Sequence, residues 1–287
     1  MIDRKRIFTK KLTMKTAVIT GGNSGIGKAI ATALAKKNYR VIIHGRDPAK
    51  TKQAGEEIIA QSGNKMVESI AMDISVISGM RELAAEIRKR TKTIEALVLS
   101  TGVILPRYEV TPDGLEKGFV IQYLSRFAVT QFLMNELING NAKIVMVGAP
   151  VIPGAKIFFD DITLKNNFTM VRAMAQEMFA THLFVQEFAK RNPEHKVVMN
   201  MANVGIAKTG IIRHSNIFFR LGVQLFGKSP EKAIKNFVYL ASDESVNFSG
   251  YFLKRPGRPL VKEKNNYDPG VAERLWNLSM KLVNTAN

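Results

Sequence analysis

The sequence predicts an α/β fold, a doubly wound parallel sheet in a single domain, and three observations carry that prediction. Short runs rich in β-branched residues alternate with longer helical patterns along the chain. Most of the runs are largely apolar rather than strictly alternating, as strands covered on both faces are. A glycine-rich loop stands between the first run and the first helix, where a dinucleotide-binding sheet places its phosphate loop. No internal repeat, low-complexity tract or linker marks a second domain, so residues 14–287 are read as one unit behind a basic extension at 1–13, with Met14 an alternative start.

The strands expected in order are "TAVIT" (16–20), "RVIIH" (40–44), "VESIA" (67–71), "IEALVLS" (94–100), "KIVMVG" (143–148) and "KVVMNM" (196–201). Helical patterns fill the intervals, and strand–helix–strand units of this kind cross over right-handedly to give helices on both faces. With 287 residues, 46% of them hydrophobic, the chain can bury a full core. It contains no cysteine, which removes disulfides and thiolate metal sites and fits a reducing, cytoplasmic setting. No metal site is read elsewhere. No uncharged apolar stretch reaches the roughly 18 residues of a membrane span, and the first residues lack an apolar signal core.

The formal charge of +18 is spread along the chain rather than gathered in an arginine-rich block. That distribution speaks for a solvated basic surface and against nucleic acid as a partner, while leaving room for peripheral contact with anionic lipid.

The first loop, "GGNSGIGKAIATALAKK", carries the clearest chemistry. Gly21 permits a tight turn, Gly25 lets backbone approach a pyrophosphate, and Gly27 allows the helix to pack closely on the strand. The helix start adds free N–H groups and the positive end of its dipole. Thr20, Gly21, Asn23, Ser24, Gly25, Ile26 and Gly27 are therefore the candidate phosphate-loop contacts.

The spacing T-G-x-x-x-G-x-G from Thr20 to Gly27 resembles the short-chain dehydrogenase/reductase family, a Rossmann-type fold. Asp73 in "AMDIS", Gly102 in "LVLSTGV", the helix opening "TPDGLEKGF" and Thr209 in "NVGIAKTG" agree with it. The C-terminal stretches "SPEKAIKNFVYLASDESVNFSGYF" and "DPGVAERLWNLSMKLV" resemble the retinol dehydrogenase and WW-domain oxidoreductase-like branch. The resemblance implies that Asp73 and Ile74 flank an adenine, that Gly102 lies beside the cofactor and that Thr209 reaches its nicotinamide end. At the close of the second strand Gly45 stands where the family's NAD-type acid would be and Arg46 follows it, so the resemblance implies NADP(H).

The same resemblance implies a catalytic asparagine, serine, tyrosine and lysine, and each position carries something else. "GLEKGFVIQYLSRFAVTQFL" places Gln122 at the asparagine, "IVMVGAP" places Ala149 at the serine, and "RAMAQEM" places Met174 and Met178 at the tyrosine and lysine. Ala149 precedes Met174 by 25 residues, the serine-to-tyrosine interval of that branch. Two neighbouring motifs also depart, reading Leu99-Ser100-Thr101-Gly102 and Val204-Gly205. A thioether cannot protonate a substrate, and general acid catalysis contributes about 10²- to 10⁴-fold, so ordinary carbonyl or alcohol redox activity is expected to be lost or greatly reduced.

Glu177, three residues after Met174, is the candidate for a replacement acid; Asp160 and Asp161 are further ones. His182 lies two turns along the helix from Met174, too far to stand in for the tyrosine, and His44, His195 and His214 are read as structural or exposed. Met174, Met178 and Ala149 would make the site apolar and suit a hydrophobic small molecule. Residues 211–229, "IIRHSNIFFRLGVQLFGKS", read as a substrate lid whose apolar face and basic flanks also suit a membrane surface. Three functions are compatible with these features. The chain is an NADP(H)-binding pseudoenzyme or a cofactor-bound protein with non-standard chemistry, an active reductase whose hydrophobic substrate needs no tyrosine acid, or a non-catalytic partner of an active homologue. Family dimers assemble through helices equivalent to 112–138 and 170–191, so a homodimer is the expected form of self-association, although the branch also contains monomers.

Overall fold

Val18 and Ile19 are adjacent, wholly buried, and belong to the cores on opposite faces of one strand. A strand covered on both sides requires a layer on each, and the computed structural model, which describes residues 14–194, 196–205, 233–254, 262–263 and 267–285, supplies them. The strands are β1 (Thr16–Thr20), β2 (Arg40–Gly45), β3 (Val67–Ala71), β4 (Ala96–Leu99), β5 (Lys143–Gly148), β6 (Val198–Asn203), β7 (Phe252–Leu253) and β8 (Lys262–Glu263). They form one sheet in the order β3-β2-β1-β4-β5-β6-β7-β8. Neighbours from β3 to β7 run parallel, and β8 is antiparallel to β7.

The helices are α1 (Gly25–Lys36), α2 (Pro48–Ser62), α3 (Ile77–Arg90), α4 (Lys117–Phe119), α5 (Ser125–Phe132), α6 (Met134–Gly140), α7 (Met170–Arg191), α8 (Lys235–Ser242) and α9 (Pro269–Thr285). Ile30 and Leu34 of α1, Ile58 of α2 and Phe237 of α8 fill one face of the sheet. Leu83 of α3, Phe127 of α5, Leu183 of α7 and Leu275 of α9 fill the other. Local chemistry sets the ends of several elements. Asp47 caps α2 by accepting the Lys50 N–H at 2.9 Å, Pro48 opens the helix, and Gly63 closes it at φ 71°. Thr169 caps α7 by accepting from Arg172 N.

The chain progresses outward from β1 to β2 and β3, then returns to β4 on the other side of β1. That reversal opens a crevice beyond the carboxyl ends of β1 and β4, the place where such sheets bind ligands. β1, β3 and β5 have the bounds expected from sequence. β6 begins two residues later than expected, because pairing with β5 starts at Val198. β7 and β8, two residues each, have no counterpart in the sequence reading, being too short to show a pattern.

His44 is buried, and its Nε2–H donates to the Met72 carbonyl at 3.0 Å, a structural role. Burial holds its imidazole below the ordinary range, against the Met72 bond and the charge of Asp73. The basic extension 1–13, the lid at 211–229, Thr209, His195 and His214 lie outside the described residues. Among the described residues no helix is long and apolar enough to cross a membrane.

Candidate functional site

The crevice begins with the loop from β1 to α1. Gly21 (φ 66°) and Gly25 (φ 53°) adopt left-handed backbone that side chains rarely tolerate. A β-carbon on Gly21 would also stand 3.0 Å from Thr101 N, pressed on the backbone leaving β4, and one on Gly27 would overlap the Gly21 carbonyl. Ser24 is the N-cap residue of α1, yet its hydroxyl caps nothing, so the N–H groups of the first turn face outward. Thr20 Oγ1 and Thr101 Oγ1, on the two strand exits, are buried without a hydrogen-bond partner among the described residues. A bare helix start beside unsatisfied hydroxyls and close-packed glycines is suited to a phosphate-bearing ligand. Ile26 is buried and packs in the core beneath the loop.

At the end of β2 the structure explains the absence of an acid. The Asn23 amide and the Thr51 hydroxyl, 3.4 Å apart, fill the space that a side chain at Gly45 would need. A ribose-binding carboxylate at 45 is therefore blocked unless Asn23 moves. Arg46 projects into solvent beside this point, and its charge reaches Asp73 at the end of the next strand. Desolvation pushes the Asp73 carboxyl up, but the Ser75 N–H and hydroxyl, with Arg46 and Lys117, outweigh it and leave the group below its ordinary value. Ile74 is buried next to it.

The crevice wall formed by the α4–α5 run and α7 is built differently. Val120–Leu124 make a π turn between α4 and α5, with Gln122 at its centre. Such wide turns recur at functional sites. Gln122 Nε2 donates to Glu177 Oε2 at 3.3 Å, and its Oε1 lies 2.7 Å from where a β-carbon on Gly102 would be. Glu116, 1% exposed, caps α4 by accepting from Gly118 N at 2.8 Å and Phe119 N at 2.6 Å. Arg126, 6% exposed, donates to the Thr101 carbonyl at 2.7 Å and to the Val147 carbonyl at 2.9 Å. It thereby straps the exits of β4 and β5 together, and its Nε has no partner among the described residues.

Glu177 is 4% exposed and directed at Gly118 and Gln122, behind the crevice rather than into it. Burial pushes its carboxyl up to about 8; Glu116 adds to the rise, while the Gln122 hydrogen bond and Arg126 oppose it. Burial likewise lowers Arg126 to about 10, against the pull of Glu177. Glu116 is raised by burial, against its two backbone N–H donors, with Glu109 adding to the shift.

Met174, Met178 and His182 share one stripe of α7. His182 Nε2–H donates to the Ala149 carbonyl at 3.0 Å, which turns that stripe toward the exit of β5. Met174, Met178 and Ala149 are half-buried there. Asp160 and Asp161 line a cleft of about 430 Å³ that reaches Arg274 of α9. Asp160 pairs with Arg274 at 3.9 Å, and Asp161 accepts from Lys165 N and Asn166 N. Asp161 is thereby engaged in its own loop, and Asp160 faces α9.

Comparison with known proteins agrees with this architecture. The short chain dehydrogenase family profile matches residues 15–151. Retinol dehydrogenase 13 of Mus musculus is 30% identical over 283 residues, covering 95% of this chain and 84% of its own length. The chain belongs to the short-chain dehydrogenase family. Retinol dehydrogenase 12 of Homo sapiens is 29% identical over 279 residues, spanning 95% of this chain and 87% of the relative. Among solved structures, an uncharacterised protein from Mycobacterium Paratuberculosis superposes with a TM-score of 0.73 at 23% identity, covering 94% of each chain. A 3-oxoacyl (acyl-carrier-protein) reductase from Agrobacterium tumefaciens C58, solved with NADP bound, superposes with a TM-score of 0.68 at 20% identity, covering 88% of this chain and 99% of that one.

Two residues of this family member's crevice wall escaped the sequence reading. Arg126 lies four residues after Gln122 and three after Tyr123, on the face of the helical pattern that also carries Phe119 and Phe127. A cation on a core stripe was the available signal. Glu116 immediately precedes the helix start, where a carboxylate suits the first-turn N–H groups.

Proposed function

We propose that this protein is an NADP(H)-binding member of the short-chain dehydrogenase family that has lost the family's usual proton-transfer group and holds its cofactor beside an apolar ligand site. It is a pseudoenzyme, or a cofactor-bound protein with non-standard chemistry. One observation carries the reading: the phosphate loop is packed as a working cradle, while the helix stripe facing β5 presents two thioethers. Gly21, Gly25 and Gly27, with the uncapped start of α1, fit the pyrophosphate. Arg46 fits a 2′-phosphate, and the blocked position at Gly45 disfavours the NAD-type carboxylate. NADP-bound relatives of the same fold support this assignment. When bound, the cofactor supplies or accepts a hydride.

The chain's own residues set the surroundings of that transfer. Arg126 holds the floor between β4 and β5, Gln122 presents a carbonyl oxygen beside Gly102, and Met174, Met178 and Ala149 offer neither a proton nor a hydroxyl. Relatives named as retinol dehydrogenases support a ligand with an extended apolar body. Purified protein should raise NADPH fluorescence and its own melting temperature on titration, without turning over ketones, aldehydes or alcohols. If neither signal moves with NADPH, the reading fails.

Glu177 favours a second reading, an active NADPH-dependent oxidoreductase acting on a hydrophobic substrate that needs no tyrosine acid. Positioning alone contributes much of the barrier reduction in hydride transfer. The test is NADPH consumption across iminium and conjugated enone substrates. If the wild type shows none while the Ala149→Ser, Met174→Tyr, Met178→Lys variant turns over, this second reading is abandoned.

We infer a monomer rather than a dimer formed along the expected helices, because a helix of the same chain packs on their face. The Tyr123 hydroxyl and Ser279 Oγ lie 2.7 Å apart, and Trp276 packs on Phe127 and Phe184 at 5.1 and 5.8 Å. Helix α9 of the same chain thus lies along the α5–α7 face that such a dimer would use. A monomer by light scattering is the expected outcome, and a dimer lost on mutation of exposed α5 or α7 residues would reverse it.

A further inference from the structure

Glu116 and Glu177 approach the same glycine from two elements. A β-carbon on Gly118 would overlap Glu177 Oε1 and lie 3.1 and 3.2 Å from the two oxygens of Glu116. Both carboxyls are nearly inaccessible, and the missing side chain of Gly118 is what leaves room for both beside it. Their hydrogen bonds are unequal. Both Glu116 oxygens receive backbone N–H groups. Glu177 receives a single side-chain donor, on Oε2, at the long distance of 3.3 Å. Arg126 gives its terminal nitrogens to two backbone carbonyls instead. A buried carboxylate close to another, with one weak donor and no ion pair among the described residues, is relieved by taking up a proton.

We propose that Glu116 and Glu177 form a carboxyl dyad that shares one proton, held between their Oε1 atoms, and that Gln122 connects this dyad to the crevice. Glu116 is the ionised member because its oxygens are already hydrogen-bonded by N–H donors. Glu177 is the protonated one, with Oε1 turned to Glu116 and Oε2 left to accept from Gln122. Because Gln122 donates its amide to Glu177, its carbonyl oxygen is presented at Gly102. The crevice there accepts a hydrogen bond, which fits a ligand carrying an O–H or N–H group. The groups that face the dyad are Gln122 and Arg126 from the α4–α5 run, with Glu109 behind Glu116. Glu109 is paired at 2.8 Å with Lys117, and the Val110–Glu116 bridge brings that exposed segment alongside. Burial supports the assignment by raising the Glu177 carboxyl to about 8.

The dyad rests on the second reading of function and deepens it by naming its proton store, and its test needs neither cofactor nor substrate. Infrared spectra of the wild-type protein in heavy water at pH 6.5 should show the C=O stretch of a protonated, buried carboxyl. That band should disappear with a midpoint near pH 8, and should be missing from the Glu177→Gln variant, which retains the shape of the side chain. Wild-type protein without such a band at pH 6.5, or a band unchanged in Glu177→Gln, would overturn the dyad. A loss of NADPH binding or turnover would leave this spectrum untouched, so the two failures are distinguishable.

Discussion

The two walls of the crevice solve the problem of polar groups in opposite ways. On the β1–α1 side, glycines and an uncapped helix start leave donors free, as a loop awaiting an anion requires. On the α4–α7 side, almost every polar group is engaged by another: Glu116 with two backbone amides, Gln122 with Glu177, and Arg126 with two strand exits. The first wall is built to be completed by a ligand. The second is already closed on itself, with thioethers where its stripe meets β5. Binding and chemistry are thus separable properties of this fold, and mutations can address them one at a time.

The largest effect is expected from Gly27→Leu. Its side chain would collide with the Gly21 carbonyl, and NADPH affinity measured by fluorescence titration should fall by roughly 100-fold or more, about 3 kcal/mol. An unchanged affinity would show that the glycine packing does not serve the ligand. Arg126→Met comes next, because it removes the guanidinium donor from the Thr101 and Val147 carbonyls and a positive charge that acts on Glu177. Removing a buried hydrogen-bond donor costs about 1–3 kcal/mol, which chemical denaturation would register as a lower midpoint. Replacing Arg46 with Ala should weaken NADPH by about tenfold and leave NADH unaffected. Equal losses for both nucleotides would place Arg46 away from the 2′-phosphate.

A further effect is a pH dependence of stability. In the unfolded chain Glu177 ionises near its ordinary value, whereas in the folded protein it does so near 8. Below the unfolded value both states are protonated and the group is neutral to stability. As pH rises toward 8 the unfolded state gains charge first, so folding stability declines across that window. Glu116, raised by burial, contributes in the same direction. Melting temperatures at pH 5, 7 and 9 should therefore fall more steeply for the wild type than for Glu177→Gln. Parallel curves would mean that Glu177 is ionised throughout.

The two walls also differed in how far they could be read from the sequence. Gly21, Gly25 and Gly27 have a spacing that only makes sense between a strand and a helix, and the structure places them there. Most of the six longer strands were legible as largely apolar runs, although β3 carries Glu68 and Ser69 and β6 carries Asn200. The α4–α7 wall was not, since its logic lies in contacts between positions 55 and 61 residues apart, Gln122 or Glu116 with Glu177. A π turn leaves no periodic mark, and the burial of Arg126 shows in the sequence only as a cation on an apolar stripe. Glu177 was identified as chemically interesting from its distance to Met174, whereas the structure puts it behind Gln122 and next to Glu116.

The most direct measurement is a fluorescence titration of the purified wild-type protein with NADPH and, in parallel, with NADH. The expected result is saturable binding of NADPH with at least tenfold weaker binding of NADH, in a protein that leaves NADPH unconsumed when simple ketones and aldehydes are added. Failure to bind NADPH, or brisk reduction of those carbonyls, would contradict the account of an intact cradle beside a silent catalytic wall.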